Sequence, residues 1–312
     1  MTAAIKPSTP GGRADRPVTS RRTGELDRGL RPARVFLHGT LILVCLAWLI
    51  PLLWAAYTSL RPYEETAKYG YVSIARSLTL QNYRNALERG DILHFFTNTM
   101  IILVPALILI LFLSSMVAFV VSRFQFRGQL ALLMVFTAGN LLPQQVIITP
   151  LYRIYRSVPL PEWMSDSGTL FDSYWGIILI HVAFQIGFCT FVLSNYMKTL
   201  PEELTEAARV DGASVWRQYW QITLPLCRAP LAALATLEFT WIYNDFFWAL
   251  VLMVTGDKRP ITSSLNNLQG QFFTDNNLVA AGSLLVALPT VLVYFLLQKQ
   301  FIGGLTMGAT KG

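Results

Sequence analysis

"PEELTEAARVDGASVWRQYWQITLPLCRAP" occupies residues 201–230, between two long apolar runs of a 312-residue chain. It is too polar for hydrocarbon and too rich in helix formers to be a plain linker. Thr199 followed by Glu202 has capping-box spacing, and Pro201 suits a first helical turn. Leu204, Ala207 and Ala208 would then form a narrow face of small side chains on which another surface can pack closely. Asp211-Gly212 ends this helix, because glycine enters a left-handed turn at least cost. Ser214 caps a second helix that carries Trp216, Tyr219, Trp220 and Thr223 at helical spacing, and Leu224-Pro225 closes it. Two readings stay open on these residues alone. One is an amphipathic hairpin lying among lipid headgroups; the other is a loop docked on a second protein.

The flanks of the loop define the fold class. The chain is 53% hydrophobic and only 14% charged, where a soluble domain carries about a quarter charged residues. Uncharged or nearly uncharged runs fall at about 35–60, 95–122, 130–152, 174–197, 229–254 and 279–298. Each reaches the roughly 20 residues that a helix needs to cross a bilayer. The first is too long for a signal-peptide core and lacks a small-residue cleavage site, so it counts as a mature span. Pro51, Pro105, Pro143 and Pro289 lie inside these runs, which membrane helices tolerate when neighbours satisfy the freed carbonyls. The short alternating segments of a β-barrel are absent. An all-α integral membrane protein with six transmembrane helices is the expectation.

Charge gives the orientation. With both termini in the cytoplasm, sixteen of the 25 Lys and Arg fall inside, as the positive-inside rule favours. The loop is then cytoplasmic, and residues 61–91, 153–173 and 255–278 lie outside. The net charge of +7 comes mainly from residues 1–34, which have no interleaved aromatics or folded motif for nucleic acid. They read as a disordered basic tail. Cys45, Cys189 and Cys227 lack metal-type spacing and read as small buried hydrophobes.

Span five contains two acids, Glu238 and Asp245. A charged side chain at mid-membrane costs about 2.5–3.5 kcal/mol, so it should face a bundle interior or a wet cavity. Trp241 and Trp248 extend the same face in an i, i+3, i+7, i+10 series, with Asn244 beside it. Carboxylates and amides for hydroxyls, with rings against apolar sugar faces, would make a carbohydrate lining. A polar seam against a partner subunit is the alternative. His181 in span four reads as a packing residue, because no second ligand accompanies it. Catalytic motifs are missing: "GGRAD" and "IGGLT" lack the lysine and context of a phosphate loop, and no metal or nucleophile-elbow motif appears.

"EAARVDGASVWRQYWQITLP" resembles the signature loop of ABC importer membrane subunits: Glu-Ala-Ala, then Gly, then Ile-x-Leu-Pro. Glu206, Ala207, Ala208, Asp211, Gly212, Ala213, Ile222, Leu224 and Pro225 stand at the matching offsets. "SLRPYEE", "LTLQNYRNAL", "YNDFFWALVLM" and "FIGGLTMGATKG" extend the likeness to carbohydrate-uptake permeases, most similar to the maltose-permease G type. The resemblance covers residue 35 to the end. It implies a permease domain over 35–301, with residues 198–225 forming coupling helices on an ATPase, and a cytoplasmic tail at 302–312 reaching the ATPase interface. It also implies a bacterial cell-membrane location and several partners: a second homologous permease, an ATP-binding subunit dimer, an extracytoplasmic sugar-binding protein and the sugar itself. ATP and magnesium would sit on the ATPase, so no cofactor and no enzyme activity are expected in this chain. A permease for a polyamine or phosphate, and an intramembrane enzyme using Glu238, Asp245 and His181, are the rival readings.

Overall fold

Apolar runs this long become helices because a backbone in hydrocarbon must satisfy its own hydrogen bonds. The computed structural model describes residues 21–141, 143–268 and 274–306, with only the backbone described at 21–33, 140–141, 264, 266–267 and 299–306. In order the helices are α1 (Arg21–Ser59), α2 (Tyr63–Tyr69), α3 (Gln81–Arg89), α4 (Ile92–Arg123) and α5 (Gln129–Leu141). Then come α6 (Ile148–Ser157), α7 (Tyr174–Met197), α8 (Glu203–Val210), α9 (Val215–Arg217), α10 (Leu224–Leu226) and α11 (Arg228–Tyr243). The last are α12 (Phe247–Leu252), α13 (Ile261–Ser264) and α14 (Asn276–Thr306). Among the described residues the only extended pairing is an isolated bridge between Pro159 and Thr169.

Four of these helices are long and apolar enough to cross a membrane, over Arg34–Ser59, Ile92–Arg123, Tyr174–Met197 and Asn276–Gln298. Two bent pairs raise the number to six if each counts as one span: Gln129–Gly139 with Gln144–Ser157, and Val215–Leu226 with Arg228–Tyr243. The third run is therefore not one straight helix. Pro143 is extended, at φ −60° and ψ 125°, and the two pieces meet at 93°. The fifth run, expected to be continuous over 229–254, stops at Tyr243 and restarts at Phe247. Pro105 and Pro289, by contrast, lie inside unbroken helices.

The chain divides into two units, 1–54 and 55–312. In the first, the described part is helical, and it starts at Arg21, inside the stretch expected to be a disordered tail. The rest of that expected tail, 1–20, lies outside the described residues. In the second, α4 against α7 and α11 against α14 are the principal helix pairs. Ile102, Ala106, Ile110, Ser114 and Ala118 of α4 recur at about one helical turn, and all are buried. Gly187, Cys189 and Leu193 are buried on α7. Small side chains at such crossings let membrane helices approach closely. Gly282 does the same between α14 and α3, where an added Cβ would collide with Leu268 and touch Ala86.

Residues 57–91 fold around Arg61, whose side chain is fully buried. Its guanidinium donates to Tyr71 O (3.0 Å), Ser73 Oγ (2.7 Å) and Glu65 Oε1 (3.4 Å). Its carbonyl accepts from Asn82 and Asn277, at 2.8 and 2.9 Å. A buried charge survives only when paired and hydrogen-bonded in this way. At the other end, α14 continues through Gly303 and Gly304 to Thr306. The start of the expected tail at 302–312 is thus helical; residues 307–312 lie outside the described residues.

Candidate functional site

The loop of residues 198–225 forms two helical pieces, as its sequence suggests, but not with the expected first cap. The Thr199 hydroxyl donates back to Tyr196 O (2.7 Å), finishing α7, and α8 begins without a side-chain cap. The backbone of Thr199 also still belongs to the α7 terminus, donating to the same carbonyl at 2.9 Å, which takes the residue away from α8. Gly212 turns the chain at φ +73°, with open space where a Cβ would stand. The demand for glycine there is conformational, not steric. Ser214 Oγ accepts from Arg217 N (3.3 Å), the cap expected for the second piece.

The face that α8 buries also differs from expectation. Thr205 and Ala208 are buried within the chain, while Leu204, Glu206, Ala207, Val210, Asp211 and Gly212 are exposed and Ala213 is half-buried. Ala208 therefore packs at home, and the exposed ridge is Leu204, Ala207 and Val210. Beyond Arg217, residues Gln218–Thr223 wind as a π-helical turn. Tyr219 is buried there, and Trp216, Tyr219 and Trp220 cluster in tilted and edge-to-face contacts at centroid separations of 5.3–5.7 Å. Ile222, Leu224 and Pro225 are half-buried where the chain enters α10. Glu206 borders a cleft of about 480 Å³ shared with Arg123, Lys198 and Arg209, so its nearest basic surroundings include its own chain.

A second cavity, of about 720 Å³, opens between α7, the end of α11 and α12. From α7 come His181, Phe184, Gln185 and Phe188, spaced i, i+3, i+4, i+7 and therefore on one face. From the broken fifth run come Thr240, Trp241, Asn244, Asp245, Phe246, Phe247 and Trp248, and Gln144 joins from beyond the first bend. The break itself has a visible cause. Asn244 Nδ2 donates back to Thr240 O (2.8 Å), and the Asp245 carboxylate accepts from Trp248 N (3.2 Å) and Ala249 N (3.3 Å). A side chain that caps the next helix ends the previous one.

That break separates the two acids. Trp241, Asn244, Asp245 and Trp248 line the cavity, but Glu238 does not. It is fully buried and accepts the Sγ–H of Cys189 at 3.1 Å, between α11 and α7. The expected shared face fails twice: Glu238 already parts from Trp241 within the unbroken α11, and residues 244–246 then leave the helical register. His181, expected to be packing, instead borders the cavity, with Nε2 3.6 Å from Asp245 Oδ2. The α7 stripe was legible as a spacing; Gln144 had no such sign, because only the bend brings it near. Among the described residues no group of three or more His, Cys, Asp or Glu is placed to hold a metal ion.

Residues 89–301 match the family described as binding-protein-dependent transport system inner membrane component. A probable ABC transporter permease protein of Pyrococcus horikoshii is 33% identical over 262 residues, 83% of this chain and 91% of that relative. The diacetylchitobiose uptake system permease protein of Streptomyces coelicolor is 30% identical over 276 residues, 88% of each. In fold, the chain is similar to a bacterial ABC transporter involved in the import of the acidic polysaccharide alginate. That likeness has a TM-score of 0.74 at 21% identity, covering 92% of this chain and all of that one. By the extent of the family match, and by relatives this similar over most of their length, the chain belongs to the binding-protein-dependent transport system inner membrane components.

Proposed function

We propose that this chain is the membrane permease subunit of an ATP-driven sugar importer and forms half of the translocation pathway. On this reading six spans, two of them bent, leave both termini in the cytoplasm, and the loop of residues 198–225 docks on the ATPase. A second permease completes the pathway, an ATPase dimer supplies the energy, and an extracytoplasmic binding protein delivers the sugar. Relatives named for diacetylchitobiose, alpha-glucoside and starch-product transport support the substrate class.

The observation that carries the reading is the cavity. Its volume of about 720 Å³ lies in the range of small-molecule sites, about 300–1,000 Å³. Aromatic rings alternate there with neutral hydrogen-bonding groups, which suits a ligand with apolar C–H faces and a rim of hydroxyls. Residues Gln144, Gln185 and Asn244 offer amides, which both donate and accept. The test is uptake of a panel of labelled mono- and oligosaccharides by a strain lacking this gene, with and without the gene restored. Restored uptake of at least one sugar is expected. A strain that imports every sugar equally well with or without the gene, while losing import of a polyamine or phosphate, overturns the sugar assignment.

A further inference from the structure

We propose that Asp245 makes the cavity a charge-sign filter, admitting neutral glycans and rejecting those built from uronic acids. The inference rests on the sugar reading and adds the class of sugar. Among the described residues, no Lys or Arg lines the cavity. Its two ionisable side chains are His181 and Asp245. The other polar groups, Gln144, Gln185, Thr240 and Asn244, are neutral.

Asp245 cannot easily turn away from this role. Each of its oxygens accepts a backbone N–H, from Trp248 and Ala249, and its own carbonyl accepts from Thr262 Oγ1 at 2.5 Å. The carboxylate is thereby fixed at the wall, with its side chain only 12% exposed. A fixed acceptor suits the hydroxyls of a neutral sugar. The carboxylate of a uronate needs a cation or several converging N–H donors, and here it would meet a like charge. Ring pairs on the wall, Phe184 with Trp248 at 5.4 Å and Phe188 with Trp241 at 5.5 Å, add apolar faces that suit the C–H faces of a sugar ring and offer nothing to an anion. Building repulsion against the wrong ligand is a general route to specificity.

Equilibrium dialysis tests this, using the assembled importer, both permeases included, in lipid nanodiscs at low salt and pH 8. The probes are labelled neutral oligosaccharides and oligouronates of equal length. Uronates should bind the wild type about tenfold more weakly or worse, the difference shrinking in high salt. Asp245→Asn, which keeps an oxygen for the helix cap, should bring the two classes within about threefold. Gln144→Lys, which leaves the cap untouched, should raise uronate binding by bringing a cation to the wall. Equal binding of both classes by the wild type overturns the filter, and so does discrimination that survives both substitutions. Binding of neither class by the wild type overturns the sugar reading itself, and the filter with it.

Discussion

The hydroxyl of Tyr219 and the Oγ of Ser115 lie 2.7 Å apart, joining residues 104 positions apart in the chain. Ser115 Oγ also donates to Phe112 O at 2.8 Å. Its single proton is used there, so Tyr219 is the donor to Ser115. The Tyr219 ring packs on Phe119 at 5.5 Å. A loop residue is thus fastened by hydrogen bond and by ring to α4, and movement of the loop must pull on that helix.

Tyr219→Phe keeps the ring and removes the hydrogen bond, so a stability loss of about 1 kcal/mol is expected. Thermal unfolding of the assembled importer should shift by only a few degrees. If the bond transmits motion, sugar moved per ATP hydrolysed should fall by more than that small shift explains. An unchanged ratio would mean that the ring alone makes the link.

Gly212→Val forces a β-branched residue to φ +73°, where L residues pay about 1–2 kcal/mol and branched ones more. Glu206→Lys adds a fourth cation to the cleft of Arg123, Lys198 and Arg209. Both variants should insert normally and lose co-purification of the ATPase together with uptake. Normal recovery and normal uptake of Glu206→Lys would place the loop on the lipid surface instead.

The separation of the two acids predicts separate phenotypes. Asp245→Leu removes a helix cap, about 1 kcal/mol, and the cavity carboxylate, and should abolish uptake while the complex still assembles. Glu238→Gln retains shape and an acceptor for Cys189, so uptake and sugar preference should stay within about twofold of wild type. Glu238→Leu leaves the Cys189 thiol unpaired and should lower the yield of folded complex without altering preference. A changed preference in either Glu238 variant would return that residue to the pathway.

Orientation is tested by single cysteines in a background lacking Cys45, Cys189 and Cys227. A membrane-impermeant maleimide should label Ser77→Cys in intact cells and label Ser214→Cys only after the membrane is opened. Labelling of Ser214→Cys in sealed cells would reverse the orientation and remove the loop from the ATPase.

The segment around Arg61 should loosen only in acid. Backbone N–H groups of Arg76 (2.8 Å) and Ser77 (3.1 Å) hold the Glu65 carboxyl below its ordinary range. A carboxyl lowered on folding stabilises the fold fully above its unfolded value, about 4.3. That contribution disappears as pH falls through the lower folded value. Proteolysis of residues 61–91 should therefore be equally slow at pH 7 and pH 5 and accelerate below about pH 4. In Glu65→Gln the acid-dependent step should shrink.

Local chemistry along the chain was sufficient for the helical class, the apolar runs, the turn at Gly212 and the cap at Ser214. Each depends on hydropathy over some twenty residues or on backbone preference within four. The α8 face, the bends and the cavity were not legible in this way. Ala208 is buried and Ala207 exposed because of what lies beneath α8, which no spacing within α8 records. Glu238 and Asp245 stand seven residues apart, and only an unbroken helix would put them on one face. The break comes from side chains turning back on the backbone at Asn244 and Asp245, a choice with nearly balanced local alternatives that the surrounding helices settle. His181 and Gln144 join the same wall from runs far apart in sequence, so their meeting is decided by how α7 and the bent third run pack, a long-range term that the tertiary structure alone contains.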